Sequence, residues 1–304
     1  MINLQGRTAI VTGGGRGIGA SVARLLGRCG ANVMIADLGA ELNGTGQDAG
    51  PAASVAQRIR DERGAAAHNV CDVGNLTSVQ GLFAETLEAF GTVDVVVNVA
   101  GNLRDRTLWN MTEDEWDSVI RVHLKGTFNT VSTAARHWKA IGNPDGNYRL
   151  INFISAAGIY GSFGQPNYAA AKMGIVGLTY SAAQSLARYG VTANMVAPVA
   201  TTRMVTSIPG SRNILSDNEA MNPDSVAPIV AYLASERSAW STGRIYDAGR
   251  RVFKVYGHLD TIAHIASEEA WDLDEFVTAV ETTLLPAVAN DPSPRERLRA
   301  ELAN

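Results

Sequence analysis

One stretch, Ser155 to Lys172, carries the three side-chain types needed to exchange a hydride: a hydroxyl, a phenol and an ammonium in SAAGIYGSFGQPNYAAAK. Tyr168 and Lys172 are four residues apart, so a helix beginning near Pro166 stacks them on one face with the ammonium beside the phenol. A free phenol titrates near ~10, and poising it for proton transfer near neutrality takes about 4 kcal/mol of preferential phenolate stabilisation. Lys172 is placed to supply much of that. Ser155 follows the apolar run Leu150 to Ile154 and so falls at a strand end, where a hydroxyl can donate to a substrate oxygen. A tyrosine and a lysine at this spacing also occur on amphipathic helices that do no chemistry, so the surrounding elements decide.

The first of those elements is a β-branched run, Arg7 to Thr12, ending in Gly13-Gly14-Gly15-Arg16-Gly17-Ile18-Gly19 before a helix over Ala20 to Arg28. Glycines let the main chain turn sharply and approach a pyrophosphate, and the helix N-terminus adds free N–H donors and a favourable dipole. A flexible turn is the alternative. The next strand, Ala31 to Ala36, ends at Asp37, where a carboxylate reads ribose hydroxyls and repels a 2′-phosphate, so NAD is expected. Arg16 argues the other way, or is an exposed bystander. Asp37 outweighs it, because a carboxylate set against a phosphate dianion is costly whereas Arg16 can swing into solvent.

Leu38 to Pro51 reads as an inserted surface loop and Ala52 to Glu62 as a helix. Ala66 to Val70 is a third strand, ending in Cys71-Asp72-Val73 with Asp72 placed to meet an adenine amino group. An amphipathic helix over Leu76 to Phe90 precedes a buried strand, Val93 to Val97, which ends in Asn98-Val99-Ala100-Gly101. Thr112 and Glu115 form a capping box for a helix that runs through His123 towards Trp138, with a break near Gly126. A helix from Pro166 to about Arg188, a sixth strand over Val191 to Ala197, an irregular loop over Pro198 to Asn222 suited to covering a substrate, a helix over Ser225 to Ala234 and a last strand over Thr242 to Ala248 follow. This alternation specifies an α/β fold, a doubly wound parallel sheet with ligands at its carboxyl ends.

With 304 residues, 46% hydrophobic and 18% charged, the chain suits a single domain over residues 1–250 with a C-terminal extension over 251–304. The extension covers a substrate mouth or an oligomer surface, or is a loosely docked tail. A net charge of −4 gives no basic face for nucleic acid or anionic lipid. The start MINLQGRTAIV lacks a signal-peptide pattern and no apolar run approaches a membrane span, which points to the cytoplasm. Cys29 and Cys71 are too few for a metal cluster and suit a reducing compartment, and no metal is expected.

Taken together, TGGGRGIG from Thr12, NVAG from Asn98, Ser155, Tyr168-Ala-Ala-Ala-Lys172 and Pro198 after the sixth strand resemble the short-chain dehydrogenase/reductases over about residues 5 to 250. The resemblance implies a Rossmann-type fold in which Tyr168 is the general acid/base, Lys172 lowers its pKa and holds the nicotinamide ribose, and Ser155 orients the substrate carbonyl. It assigns the phosphate turn to Gly13, Arg16, Gly17, Ile18 and Gly19, the ribose to Asp37, and the adenine to Asp72 with Val73. Asn98, Ala100 and Gly101 give the cofactor-side main chain, while Pro198 and Thr202 face the nicotinamide, Thr202 at its carboxamide. It also implies a homodimer or homotetramer built on the long helices at 112–138 and 166–188.

Three positions depart from the family pattern. His123 stands where the family has its catalytic asparagine, Val99 replaces the second asparagine of NNAG, and Val199 replaces the usual glycine after Pro198. His123 either joins the catalytic residues, keeping the asparagine's main-chain role in a proton relay while its imidazole does something new, or is a core histidine or plain helix residue. Asp37-Leu38-Gly39 with its long insertion, Leu103-Arg104-Asp105-Arg106, Arg121-Val122-His123-Leu124 and Ala157-Gly158-Ile159-Tyr160-Gly161 are more narrowly similar to the (3R)-hydroxyacyl-CoA dehydrogenase unit of peroxisomal multifunctional β-oxidation enzymes. That similarity implies NAD-linked oxidation of a 3-hydroxyacyl-CoA, with a hydroxysteroid or 3-oxoacyl substrate as alternatives and a nucleotide-binding sensor as a remote one. The small-molecule partner is then an acyl-CoA or a steroid.

Overall fold

The computed structural model describes residues 2–200, 222–249, 252–294, 296, 297 and 300. They fall into two compact units, Met1–Tyr256 and Gly257–Asn304. The first is built on one sheet of eight strands in the order β3-β2-β1-β4-β5-β6-β7-β8. These are β1 Thr8–Thr12, β2 Asn32–Ala36, β3 Ala66–Asn69, β4 Val95–Asn98, β5 Tyr148–Phe153, β6 Val191–Val199, β7 Ile245–Gly249 and β8 Val252–Val255. Strands β1 to β7 pair in parallel, and the chain order reverses between β1 and β4, which opens a crevice at their carboxyl ends.

Helices cover both faces because the central strands are apolar on both sides; every residue of β1, β4 and β5 is buried. One face receives α1 (Gly17–Arg28), α2 (Gly50–Asp61) and α8 (Ala227–Ala234), through Val22, Leu26, Ile59 and Val230. The other receives α3 (Leu76–Phe90), α5 (Gly126–Ile141) and α7 (Pro166–Leu186), through Leu82, Val131, Trp138 and Leu186. Two shorter helices, α4 (Glu113–Ile120) and α6 (Ala156–Tyr160), lead into α5 and α7.

The expected strands and helices are present, with three differences. The sheet does not end with β7: β8 adds an antiparallel edge strand, so the first compact unit runs to Tyr256, past residue 250. The long helix opened by the Thr112 capping box is interrupted at Arg121–Lys125 by a π-helical turn, one residue before the expected break at Gly126. A π-turn inserts one residue into the α-helical repeat and rotates the side chains it carries. The Leu38 to Pro51 insertion is not a detached loop, as described below. The loop expected over Pro198 to Asn222 lies mostly outside the described residues, as does Thr202.

In the second unit, Asp272 caps a helix over Leu273–Ala279 by accepting from the Asp274 and Glu275 N–H groups. The helical path continues to Asn290. No helix among the described residues is long and apolar enough to cross a membrane.

Candidate active site

Strand β1 delivers the chain into a turn at Gly13, whose φ of +65° favours glycine and whose hypothetical Cβ would lie 2.7 Å from Ala100 Cα. At Gly19 a Cβ would come within 2.0 Å of Gly13 O, so both positions must be glycine for the turn to close on α1. Arg16, the residue before α1, has extended backbone and makes no side-chain cap, which leaves the first N–H groups of the helix without a side-chain partner. These features suit a pyrophosphate. At the tip of β2, Asp37 accepts from the Gly15 N–H at 2.8 Å and the Gly39 N–H at 2.7 Å, keeping acceptor capacity on both oxygens for ribose hydroxyls.

Gly13, Gly17, Asp37, Asp72, Ala100 and Gly101 border one cleft of about 410 Å³ that also reaches Ser155, Tyr168, Lys172 and His123. Ser155 ends the β5 segment and caps α6, its Oγ accepting from the Ala157 N–H at 3.2 Å. Pro166 occupies the first turn of α7, and the four-residue spacing sets the Lys172 ammonium over the Tyr168 ring, 5.4 Å from its centroid. Lys172 Nζ donates to the Phe153 carbonyl at 2.8 Å. Burial pushes its pKa from 10.5 down to about 7.

The phenol is shifted opposite to the expectation. Burial raises the Tyr168 pKa to about 12, a hydrogen bond with Ser155 opposing this and the Asp105 charge adding to it. Lys172 does not offset the rise because, with its own pKa lowered to about 7, it is uncharged where the phenol titrates.

The π-turn carries His123 into the site, where its ring packs edge-on against Tyr168 with centroids 5.1 Å apart and planes at 89°. Its Nε2 is 2.8 Å from Asn102 O and 3.2 Å from Asn102 N, so the shorter contact makes Nε2–H the donor to the carbonyl. Burial, reinforced by the Lys172 charge, lowers the His123 pKa to about 3, so the ring is neutral. Gly101 makes room for it: a Cβ there would sit 2.3 Å from His123 Cε1.

The model of the short chain dehydrogenase family matches residues 7–211, the part of the chain that contains the glycine turn, Ser155, Tyr168 and Lys172. The chain belongs to that family. It is an oxidoreductase acting on CH–OH groups of a small-molecule substrate. Its relatives include the hydroxyacyl-CoA dehydrogenase ChsB1 of Mycobacterium tuberculosis, 39% identical over 84% of this chain and 78% of that one. The peroxisomal multifunctional enzyme type 2 of Mus musculus is 36% identical over 82% of this chain, which spans only 32% of that enzyme. Among solved structures, a short chain dehydrogenase from Mycobacterium avium superposes with a TM-score of 0.81 at 37% identity, covering 92% of this chain and 95% of the other.

Within this short-chain dehydrogenase, the described residues expected at the site all border the cleft except Asn98. The expectation for Asn98 concerned its main chain; its side chain points away from the cleft. It lies inside β4, its Nδ2 donating to Asn152 Oδ1 at 2.8 Å and its Oδ1 accepting from Thr130 Oγ1 at 2.7 Å, while Asn152 in turn donates to Thr179 Oγ1 at 2.8 Å. That chain of buried bonds ties α5, β4, β5 and α7 together through the Asn98 side chain, and Val99, Ala100 and Gly101 border the cleft after it. Asp72 is less free than expected, because Oδ1 accepts from the Gly74 N–H and Oδ2 is paired with Arg121, itself a cleft residue. Arg16 Nη1 donates to Ala40 O at 3.2 Å and so is engaged by the insertion.

Several cleft residues escaped sequence reasoning. Leu42 and Gly44, from the insertion, reach the cleft because the Leu103 N–H donates to Leu42 O at 3.0 Å and Arg104 Nε to Asn43 O at 2.9 Å. Asn102 also borders it. For the loop, nothing local announced its partner.

Proposed function

We propose that this short-chain dehydrogenase catalyses NAD-linked oxidation of a 3-hydroxyacyl-CoA to the 3-oxoacyl-CoA. The observation that carries the reading is the convergence of Ser155, Tyr168 and Lys172 on the cleft opened by the glycine turn and Asp37. The relative named a hydroxyacyl-CoA dehydrogenase supports the substrate class. Asp37 at the ribose position, with Arg16 drawn to Ala40 O, supports NAD over NADP. The dinucleotide supplies the hydride acceptor when bound. Tyr168 Oη removes the alcohol proton, Ser155 Oγ holds the developing carbonyl oxygen, and Lys172, beside the phenol ring, is placed to hold the nicotinamide ribose. His123 acts beside them by fixing the Tyr168 ring.

In this reading residues 1–256 carry both cofactor and substrate sites and 257–304 form an extension. The free cysteines suit a cytoplasmic setting. Exposed Trp116, Phe128 and Met173 on α4, α5 and α7 suit a homodimer or homotetramer.

The test is NADH formation by purified protein with (3R)- and (3S)-hydroxyacyl-CoA thioesters and hydroxysteroids, NAD against NADP. Turnover of (3R) thioesters with NAD is expected. Activity confined to free steroids would keep the Tyr168 chemistry and remove the acyl-CoA assignment.

A further inference from the structure

The carboxamide of Gln165 is fixed at both ends. Its Nε2 donates to Asp105 Oδ2 at 2.9 Å and its Oε1 accepts from Ser162 Oγ at 3.0 Å. The main chain on either side is held as firmly: the Arg106 N–H donates to Gly164 O at 2.8 Å, and buried Asn167 donates through Nδ2 to Arg104 O at 3.0 Å and to Glu115 O at 2.9 Å. Two loops thus converge on one amide three residues before Tyr168. Holding a glutamine still costs side-chain entropy, which its two hydrogen bonds, one of them to the Asp105 carboxylate, offset. A carboxamide has two N–H groups and two principal acceptor positions, so one of each remains free of Asp105 and Ser162. Gln165 borders the same cleft as Ser155 and Tyr168.

We infer that Gln165 is a specificity-determining residue whose remaining Nε2–H donates to a second substrate oxygen, the thioester carbonyl two carbons from the carbinol carbon. The site then selects β-hydroxy thioesters over simple secondary alcohols. This rests on the function proposed above and adds the group that reads the thioester. A neutral amide donor suits a carbonyl oxygen. The adjacent Asp105 disfavours a free carboxylate in its place, since the charge of Arg106 is already taken by Glu115. Asp105 is a positioning residue, acting through the amide it orients.

The experiment compares, on the full chain with NAD, a (3R)-3-hydroxyacyl-CoA thioester with the matching 3-hydroxyalkyl-CoA thioether, which lacks only the carbonyl oxygen. The readout is the ratio of kcat/KM for thioester over thioether. In Gln165→Leu the ratio is expected to fall about tenfold, carried by KM for the thioester. Asp105→Ala, a surface change that frees the amide, lowers the ratio in the same direction, and Asp105→Asn, whose side-chain oxygen still accepts from Gln165, restores it. An undiminished ratio in Gln165→Leu, with the thioester turned over by the wild type, overturns this inference and leaves the proposed function standing. Failure of the wild type to oxidise the thioester overturns both.

Discussion

Tyr168 illustrates how a residue's type and its pKa answer different questions. With its phenol raised to about 12, proton removal from an alcohol is limited by the phenolate fraction, so oxidation is expected to accelerate as pH rises through the neutral and alkaline range. Tyr168→Phe should lower kcat by roughly a thousandfold while cofactor binding, read by fluorescence titration, persists. His123→Asn should cost far less, roughly five- to tenfold in kcat, the worth of an edge-to-face contact of about 1 kcal/mol. A loss equal to that of Tyr168→Phe would instead place the imidazole in proton transfer. Lys172 is depressed from 10.5 to about 7, so between those values the unfolded chain holds a proton that the folded chain lacks. Stability of the cofactor-free protein therefore rises with pH across that window and is lowest below about 7. Lys172→Met should raise the melting temperature near neutrality and flatten that rise, as thermal unfolding at a series of pH values would show.

At the scale of elements, the π-turn at Arg121–Lys125 and the glycine floor beneath it work as a pair. The turn aims His123 inward, and Gly101 leaves the space that its ring fills. Gly101→Ala should destabilise the fold by about 1–3 kcal/mol through overpacking against a ring that cannot yield, and should depress kcat as the Tyr168 contact is disturbed. Gly81, within α3, is the contrast: its Cβ would meet nothing within 4 Å, so Gly81→Ala should stabilise by up to about 1 kcal/mol in urea unfolding. The insertion between β2 and α2 is also an element with a task. By donating through Leu103 and Arg104 to its carbonyls, the segment after β4 draws Leu42 and Gly44 over the cofactor side of the cleft.

For the whole molecule, the core ends where the first unit ends. Both main apolar clusters are drawn from residues before Gly249, and no described residue from Gly257 onward is buried. Truncation after Tyr256 should therefore leave a cooperative thermal transition and a cofactor affinity within a few-fold of the full chain, since hydrophobic stabilisation follows buried apolar area. Loss of the transition on truncation would show that the C-terminal unit completes the fold.

Local rules were enough for the glycine turn, the carboxylate at the end of β2 and the Tyr168–Lys172 pair, because each depends on neighbours within a few residues: positive φ, strand termination and helical spacing. They were also enough for the alternation of strand and helix that makes a doubly wound sheet. The tertiary structure alone decided the rest. Whether Asn98 faces the cleft or the interior depends on Asn152 and Thr130, which come from other elements. The tyrosine's pKa depends on burial and on whether the buried lysine keeps its charge, and neither is encoded in a spacing of four. The π-turn, the clasp made by the insertion and the edge strand β8 arise from pairings between segments far apart in the chain, whose free energies appear only once the sheet has brought them together.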